Sequence, residues 1–147
     1  MQGYFPTCDD SLGYLACKLS RLMTGYLAKT FLEAGLDITV EQWRLLINLV
    51  YSDGLTQNEL TERLIQDKTG VSRLVRALEK RGMVRRMPVK HDRRSRMVYL
   101  RDPGRVVAMQ GLDVARTNLE TIQAGIDPER LAMCKEVMCQ LIINLQS

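Results

Sequence analysis

Histidine is almost missing from these 147 residues: His91 is the only one, and the four cysteines, Cys8, Cys17, Cys134 and Cys139, form no CxxC pair. That combination cannot complete a zinc-ligand set of the usual Cys/His kind, so no metal is expected. His91 sits among cations with no serine or cysteine next to it, and nothing in the chain marks a nucleophile with its base. The expectation is a protein that is not an enzyme and needs no cofactor. Long apolar runs are missing too, none approaching the roughly 20 residues that cross a bilayer. The opening "MQGYFPTCDD" has neither the basic head nor the apolar stretch of a signal peptide. These absences predict a cytoplasmic chain with no membrane partner, whose thiols stay reduced by default. The length suits one domain, or a small domain with arms that pair with another chain.

Charge is present in both signs but unevenly placed. The chain has a net charge of +4, yet residues 57–101 alone carry 13 Lys/Arg against 5 Asp/Glu, a net of +8. Residues 1–56 and 102–147 each carry 4 Lys/Arg against 6 Asp/Glu, a net of −2 apiece. A basic centre between acidic flanks points to polyanion binding by the middle and a different task for the ends. The most concentrated part is "PVKHDRRSRMVYL", residues 88–100, where Lys90, Arg93, Arg94 and Arg96 surround Asp92.

Apolar spacing and caps supply the elements. Leu15, Leu19, Leu22 and Tyr26 recur at helical spacing within 11–34, and Gly35 ends that helix. Thr39 with Gln42 forms a capping box for a second helix whose buried stripe is Trp43, Leu46, Ile47 and Val50. Thr56 with Glu59 repeats the signal for a short helix containing Leu60 and Leu64. Asp67 caps the next, which turns Val71, Leu74, Val75 and Leu78 inward and stops at Gly82. "MVRRM" and "RMVYL" are β-capable pieces flanking the basic stretch. Asp102 with Pro103 and Asp127 with Pro128 then open two more helices. The first of these uses Val107, Leu112, Ala115, Leu119 and Ile122, and the last uses Leu131, Val137, Met138, Leu141 and Leu145. The long outer helices carry more apolar surface than a small core covers, which predicts pairing with a second copy.

Two short helices with a tight connection, followed by a hairpin, make a winged helix-turn-helix. The fold expected is therefore mainly α with a small β-hairpin wing. Residues 39–101 form the DNA-binding region, and 11–35 and 102–147 form helical dimerisation arms on a single chain, 1–147. In the fourth helix, Lys68, Thr69, Ser72, Arg73 and Arg76 occupy the first turn and outward face. These are residue types that reach base edges and phosphates. Gly70 either permits close approach to the DNA backbone or is a glycine tolerated near a helix start.

The run "TQNELTERLIQDKTGVSRLVRALEKRGMVRRMPVKHDRRSRMVYLRDPG" resembles the multiple-antibiotic-resistance regulator (MarR) family of bacterial transcription factors. Its specific part is D-x-R-x-x-x-V-x-L, met by Asp92, Arg94, Val98 and Leu100 behind "SRLVRALEKRG". Two positions depart from the family pattern: Arg101 stands where threonine usually caps the next helix, and Ile65 and Gln66 stand where a glycine is common between the helices of the motif. The resemblance implies that Arg94 enters the minor groove, that Asp92 steadies the wing by pairing with arginine, and that Lys90, Arg93 and Arg96 hold phosphates. Arg85 and Arg86 either touch phosphate or form the solvated side of a strand.

The resemblance also implies a homodimer on pseudo-palindromic double-stranded DNA, most simply a nucleoid-associated repressor released by a small aromatic or phenolic effector. Met23, Tyr26 and Trp43 are the candidate pocket residues, although such a stripe is also what plain core looks like. A peroxide-sensing branch of the family suggests an alternative, with Cys17 as the reactive thiol near Tyr14 and Cys134 or Cys139 as its partner; Cys8 stands beside Asp9 and Asp10, which oppose thiolate formation. Two rival functions remain: an architectural DNA binder without operator specificity, and a winged helix that grips an acidic protein.

Overall fold

The computed structural model describes residues 11–147, so Cys8 lies outside the described residues. In chain order the elements are α1 (Leu12–Glu33), α2 (Val40–Tyr51), β1 (Leu55–Thr56), α3 (Gln57–Leu64), α4 (Lys68–Lys80), β2 (Val84–Val89), β3 (Asp92–Leu100), α5 (Asp102–Gln123) and α6 (Pro128–Gln146). This is the mainly helical winged architecture expected. The chain divides into two compact units, one ending at Arg116 and the other spanning Thr117–Ser147, with α5 running through the division.

Local chemistry explains most helix starts. In α2, Gln42 N–H donates to Thr39 Oγ1 at 3.1 Å and Thr39 N–H donates to the Gln42 side chain at 3.2 Å. The same reciprocal box opens α3 through Thr56 and Glu59. Asp67 accepts from Gly70 N–H, and Asp127 from Arg130 N–H with Pro128 at the first helical position. The start of α5 differs from expectation. Arg105 N–H donates to the Arg101 carbonyl, which makes Arg101 the cap residue and puts Asp102 inside the first turn, where it complements the helix dipole instead of capping.

The sheet has three strands in the order β1-β3-β2, all antiparallel. Leu55 pairs with Val98 and Thr56 with Met97, so a two-residue strand braces the base of the hairpin. So short a strand has no readable periodicity, and the sequence did not reveal it. The basic stretch is also not a loop between strands. Only Lys90 and His91 turn, while Asp92–Arg96 belong to β3, with a register shift at Pro88/Val89.

In the first unit Leu45, Leu46, Leu49, Leu60, Val71, Val75, Leu78, Val84 and Val98 form the principal core. The buried face of α2 is wider than the predicted stripe: Val40, Leu45 and Leu49 are buried with Trp43 and Leu46, whereas Ile47 and Val50 are only half-buried. The cause is that α2 packs in two directions, because Phe31, Val40 and Trp43 form a second cluster with Leu27, Leu112 and Ala115. Phe31 meets Trp43 edge-on at 5.6 Å, and the indole N–H donates to the Ala108 carbonyl at 3.0 Å. The buried positions of α5 are Gly104, Ala108, Gly111 and Asn118, and the predicted Val107, Leu112 and Ala115 are half-buried and packed against the two clusters; Leu119 is exposed. A side chain at Gly111 would collide with the Trp43 indole.

The second unit is the end of α5 and α6. No residue of α6 is buried, and Met133, Val137, Met138, Ile142, Ile143 and Leu145 are exposed.

Two helices of the reading head end in the same Schellman geometry, and one of them does so at a cost. At the end of α4, Gly82 (φ 69°) donates to the Glu79 carbonyl and Met83 to the Leu78 carbonyl. At the end of α3, Ile65 donates to Glu62 and Gln66 to Thr61, but here Ile65 itself is left-handed, with φ 53°. A β-branched residue in that region costs about 1–2 kcal/mol, and Ile65, at 92% exposure, recovers almost nothing by burial. Ile65→Gly is therefore expected to raise stability by up to about 1 kcal/mol once the entropy of glycine is set against the relieved strain, measurable as a higher urea midpoint with unchanged slope.

Candidate nucleic-acid interface

The recognition-helix residues are placed by the burial of α4's opposite face. With Val71, Val75 and Leu78 fully buried, the 3.6-residue repeat turns Lys68, Thr69, Arg73 and Arg76 to the exterior, and all four are exposed; Ser72 is half-buried. Gly70 has a local explanation. A Cβ there would lie 3.1 Å from Asp67 Oδ1 and 3.3 Å from Gln66 Oε1, so the missing side chain makes room for the helix's own cap.

At the wing, Lys90, His91, Arg93, Arg94 and Arg96 are exposed, and neither Arg93 nor Arg94 makes an ion pair among the described residues. Asp92 makes no ion pair with an arginine side chain among the described residues, unlike the pairing that the resemblance implied. Its carboxylate accepts from Ser95 Oγ at 2.7 Å and from the Arg94 N–H at 2.9 Å. Those two bonds hold its pKa below the ordinary aspartate value, the Ser95 hydroxyl contributing most. Asp92 thus fixes the backbone from which Arg94 projects. Arg94, Ser95 and Arg96 face Thr56, Gln57 and Asn58 across a polar recess of about 80 Å³, which sets the start of α3 beside the wing.

Arg85, at the surface, and Arg86, half-buried, both meet other residues of the chain. The Arg85 guanidinium lies 5.6 Å from the Tyr99 ring centroid. Arg86 donates to Glu79 through Nη2 at 2.7 Å and Nε at 3.0 Å, and its N–H donates to the same carboxylate at 3.3 Å. Arg86 thereby ties β2 to the recognition helix. The hydrogen bond from Arg86 is the main cause of a Glu79 pKa lowered from 4.5, with a smaller contribution from the Arg96 charge. Because the folded-state value is the lower one, the bridge contributes stability above 4.5 that is lost as pH falls through the depressed value. Melting temperatures of the protein and of Glu79→Gln should differ at neutral pH, the intact chain being the more stable, and converge in acid below 4.5.

A cavity of about 530 Å³ opens where α1 meets α2, with Thr24, Ala28, Leu32, Leu36, Ile38 and Glu41 among its walls. Met23, Tyr26 and Trp43 do not line it. Trp43 is instead a core anchor, and Met23 and Tyr26 are half-buried one step round the helix from Thr24 and Ala28. Cys17, Cys134 and Cys139 are free and exposed. Among the described residues there is no metal-holding group of His, Cys, Asp or Glu, and no helix is long and apolar enough to cross a membrane.

A helix-turn-helix with a basic outward face and an arginine-tipped wing defines a winged helix-turn-helix protein of the nucleic-acid-binding kind. The model of the MarR family matches residues 36–95. A curated relative, an uncharacterized HTH-type transcriptional regulator, YdgJ, of Bacillus subtilis, is 25% identical over 115 residues, covering 78% of this chain and 70% of that protein. The crystal structure of a probable transcriptional regulator from Pseudomonas aeruginosa superposes with a TM-score of 0.75 at 25% identity, covering 92% of this chain and 99% of the other. CouR from Rhodococcus jostii RHA1, solved with p-coumaroyl-CoA, shares the fold with a TM-score of 0.80 at 17% identity, covering 93% and 95%. The match over residues 36–95 and these superpositions make the chain similar to the MarR family of winged helix-turn-helix regulators, a family of DNA-binding transcription factors.

Proposed function

We propose that the protein is a homodimeric repressor that binds pseudo-palindromic operators through Lys68, Thr69, Ser72, Arg73 and Arg76 in the major groove and Arg94 in the minor groove, with Lys90, Arg93 and Arg96 on phosphates. The observation that carries this reading is that, within the basic stretch 57–101, Lys68, Arg73, Arg76, Lys90, Arg93, Arg94 and Arg96 are exposed on α4 and the wing and make no ion pair among the described residues, while Arg86 is bonded to Glu79 and Arg85 lies against Tyr99. Residues 11–35 and 102–147 are the dimerisation arms. Leu12, Leu15, Leu19 and Leu22 are exposed along α1, and α6, taken by itself, leaves its apolar residues uncovered. A small organic effector releases the complex, as the acyl-CoA bound by CouR suggests by analogy.

The test is binding to the duplex upstream of the protein's own gene against a scrambled duplex over a salt series. A preference of about a thousandfold or more supports the operator reading. Equal, steeply salt-dependent affinity for both duplexes would replace it with an architectural role.

Exposure of all three described thiols favours one further reading, release by oxidation through Cys17 with Cys134 or Cys139. Cys17→Ser should then bind DNA normally and no longer respond to peroxide; an intact response removes this reading.

A further inference from the structure

One arginine of the basic centre directs its guanidinium to the protein itself, at a position where it bears on the recognition helix. Arg81 is the last residue of α4's turn, its N–H bonded to the Ala77 carbonyl. Its Nη2 reaches 44 residues back along the chain to donate to the Asp37 backbone carbonyl at 2.5 Å, and it lies 3.5 Å from the Asp37 carboxylate. The carboxylate is fully exposed and contributes little, whereas the carbonyl is a fixed point of the loop between α1 and α2. That loop is also a wall of the 530 Å³ cavity, to which Leu36, Asp37 and Ile38 all contribute. One peptide segment therefore has the cavity on one side and the anchor of the recognition helix on the other.

We infer that Arg81 is a positioning residue: it reads no DNA, but latches the C-terminal end of α4 to the 35–39 loop, so that filling the cavity behind the loop shifts the reading face. The inference rests on the DNA-binding reading above and adds its input. α4 is fixed by the Asp67 cap at its start, by the buried Val71, Val75 and Leu78 along it, by the Glu79–Arg86 bridge to β2 and by the Arg81 latch at its end. The latch is the directional, hydrogen-bonded tie to the cavity wall, beside the apolar packing of Ile38 against the core that holds Val71, Val75 and Leu78. The cavity has an apolar floor of Ala28, Leu32 and Ile38 with Asp37 and Glu41 among its walls, which suits a small apolar molecule bearing hydrogen-bond donors better than an anion.

The experiment is a double-mutant cycle between Ala28→Phe, an exposed position whose new ring fills the cavity without ligand, and Arg81→Ala. Each alone should lower the ratio of specific to non-specific DNA affinity about tenfold, and the double variant should lose no more than either, since both release the same latch. Losses that multiply to about a hundredfold overturn the proposal. Arg81→Lys keeps the charge but not the fork, and should behave like Arg81→Ala with an unchanged salt slope. Restored affinity in Arg81→Lys, with a salt slope about one lower in Arg81→Ala, would make Arg81 a phosphate contact and also overturn it. Should the intact protein show no operator preference, the function proposed above fails, but the latch is still tested without DNA. Ala28→Phe should then speed amide exchange at Arg81, Gly82 and Met83 in the Arg81 background and not further in Arg81→Ala; unchanged exchange refutes the coupling.

Discussion

Gly104→Ala is expected to destabilise the fold by about 3 kcal/mol or more, the opposite of what the same change does in an ordinary helix, where it gains up to about 1 kcal/mol. The Cβ would be built into the Met83 backbone carbonyl and would stand 3.0 Å from Leu100 Cδ1. The carbonyl cannot retreat, because it accepts the Arg101 N–H at 2.9 Å, the bond that joins the end of the hairpin to the turn after α4. Relief would have to come from moving α5 away from the sheet, opening the face that Gly104, Ala108 and Gly111 keep closed. Urea unfolding measures the loss. Gly25→Ala in α1, where an added Cβ meets nothing within 4 Å, is the control expected to leave stability equal or higher. A Gly104→Ala midpoint at or above that of the intact protein would show that α5 is not seated as described.

Arg94→Ala is expected to weaken specific DNA binding at least tenfold while leaving the melting temperature unchanged. The side chain is exposed and makes no ion pair among the described residues, so the fold loses nothing with it. In a narrow minor groove its charge meets the enhanced negative potential of the duplex. Asp92→Ala should weaken binding in the same direction although it removes a negative charge from a DNA-facing tip. A purely electrostatic account predicts tighter binding; loss of the bonds to Arg94 N–H and Ser95 predicts weaker binding. Arg85→Ala, whose guanidinium rests on Tyr99, serves as the comparison and should change affinity less than about twofold. Fluorescence anisotropy at fixed salt separates the three. Equal losses from Arg85→Ala and Arg94→Ala would mean that the tip has no special part in binding and that only total charge counts.

What was legible in the sequence was what is decided within a few residues. The boxes of Thr39 with Gln42 and Thr56 with Glu59, the Asp67 and Asp127 caps and the Gly82 stop need only local geometry, and each stands where the spacing put it. What escaped depends on partners far along the chain. Apolar spacing picked out Val107, Leu112 and Ala115, which do pack inward, but cannot reveal that Gly104, Ala108 and Gly111 are buried more deeply, because close approach selects for missing side chains, and Trp43 supplies the bulk from 65 residues away. The Arg86 bond to Glu79 and the Arg81 bond to Asp37 likewise turn cations that read as surface charge into ties between elements. Ile65 is the converse case. The usual glycine was seen to be missing, and the backbone takes the left-handed turn all the same, since the surrounding elements dictate it.

The arrangement of the three strands gives the wing a gradient of stiffness. Met97 and Val98 of β3 have a partner on each side, β1 and β2, whereas Asp92 and Arg96 pair only with β2 and residues 93–95 fall in the register shift between them. The hairpin is thus clamped at its root and loosens toward its end, like a beam fixed at one side. Bending is expected next to Arg94, where the proposed groove contact would use it, and not at the root, where movement would carry through Val98 into the core.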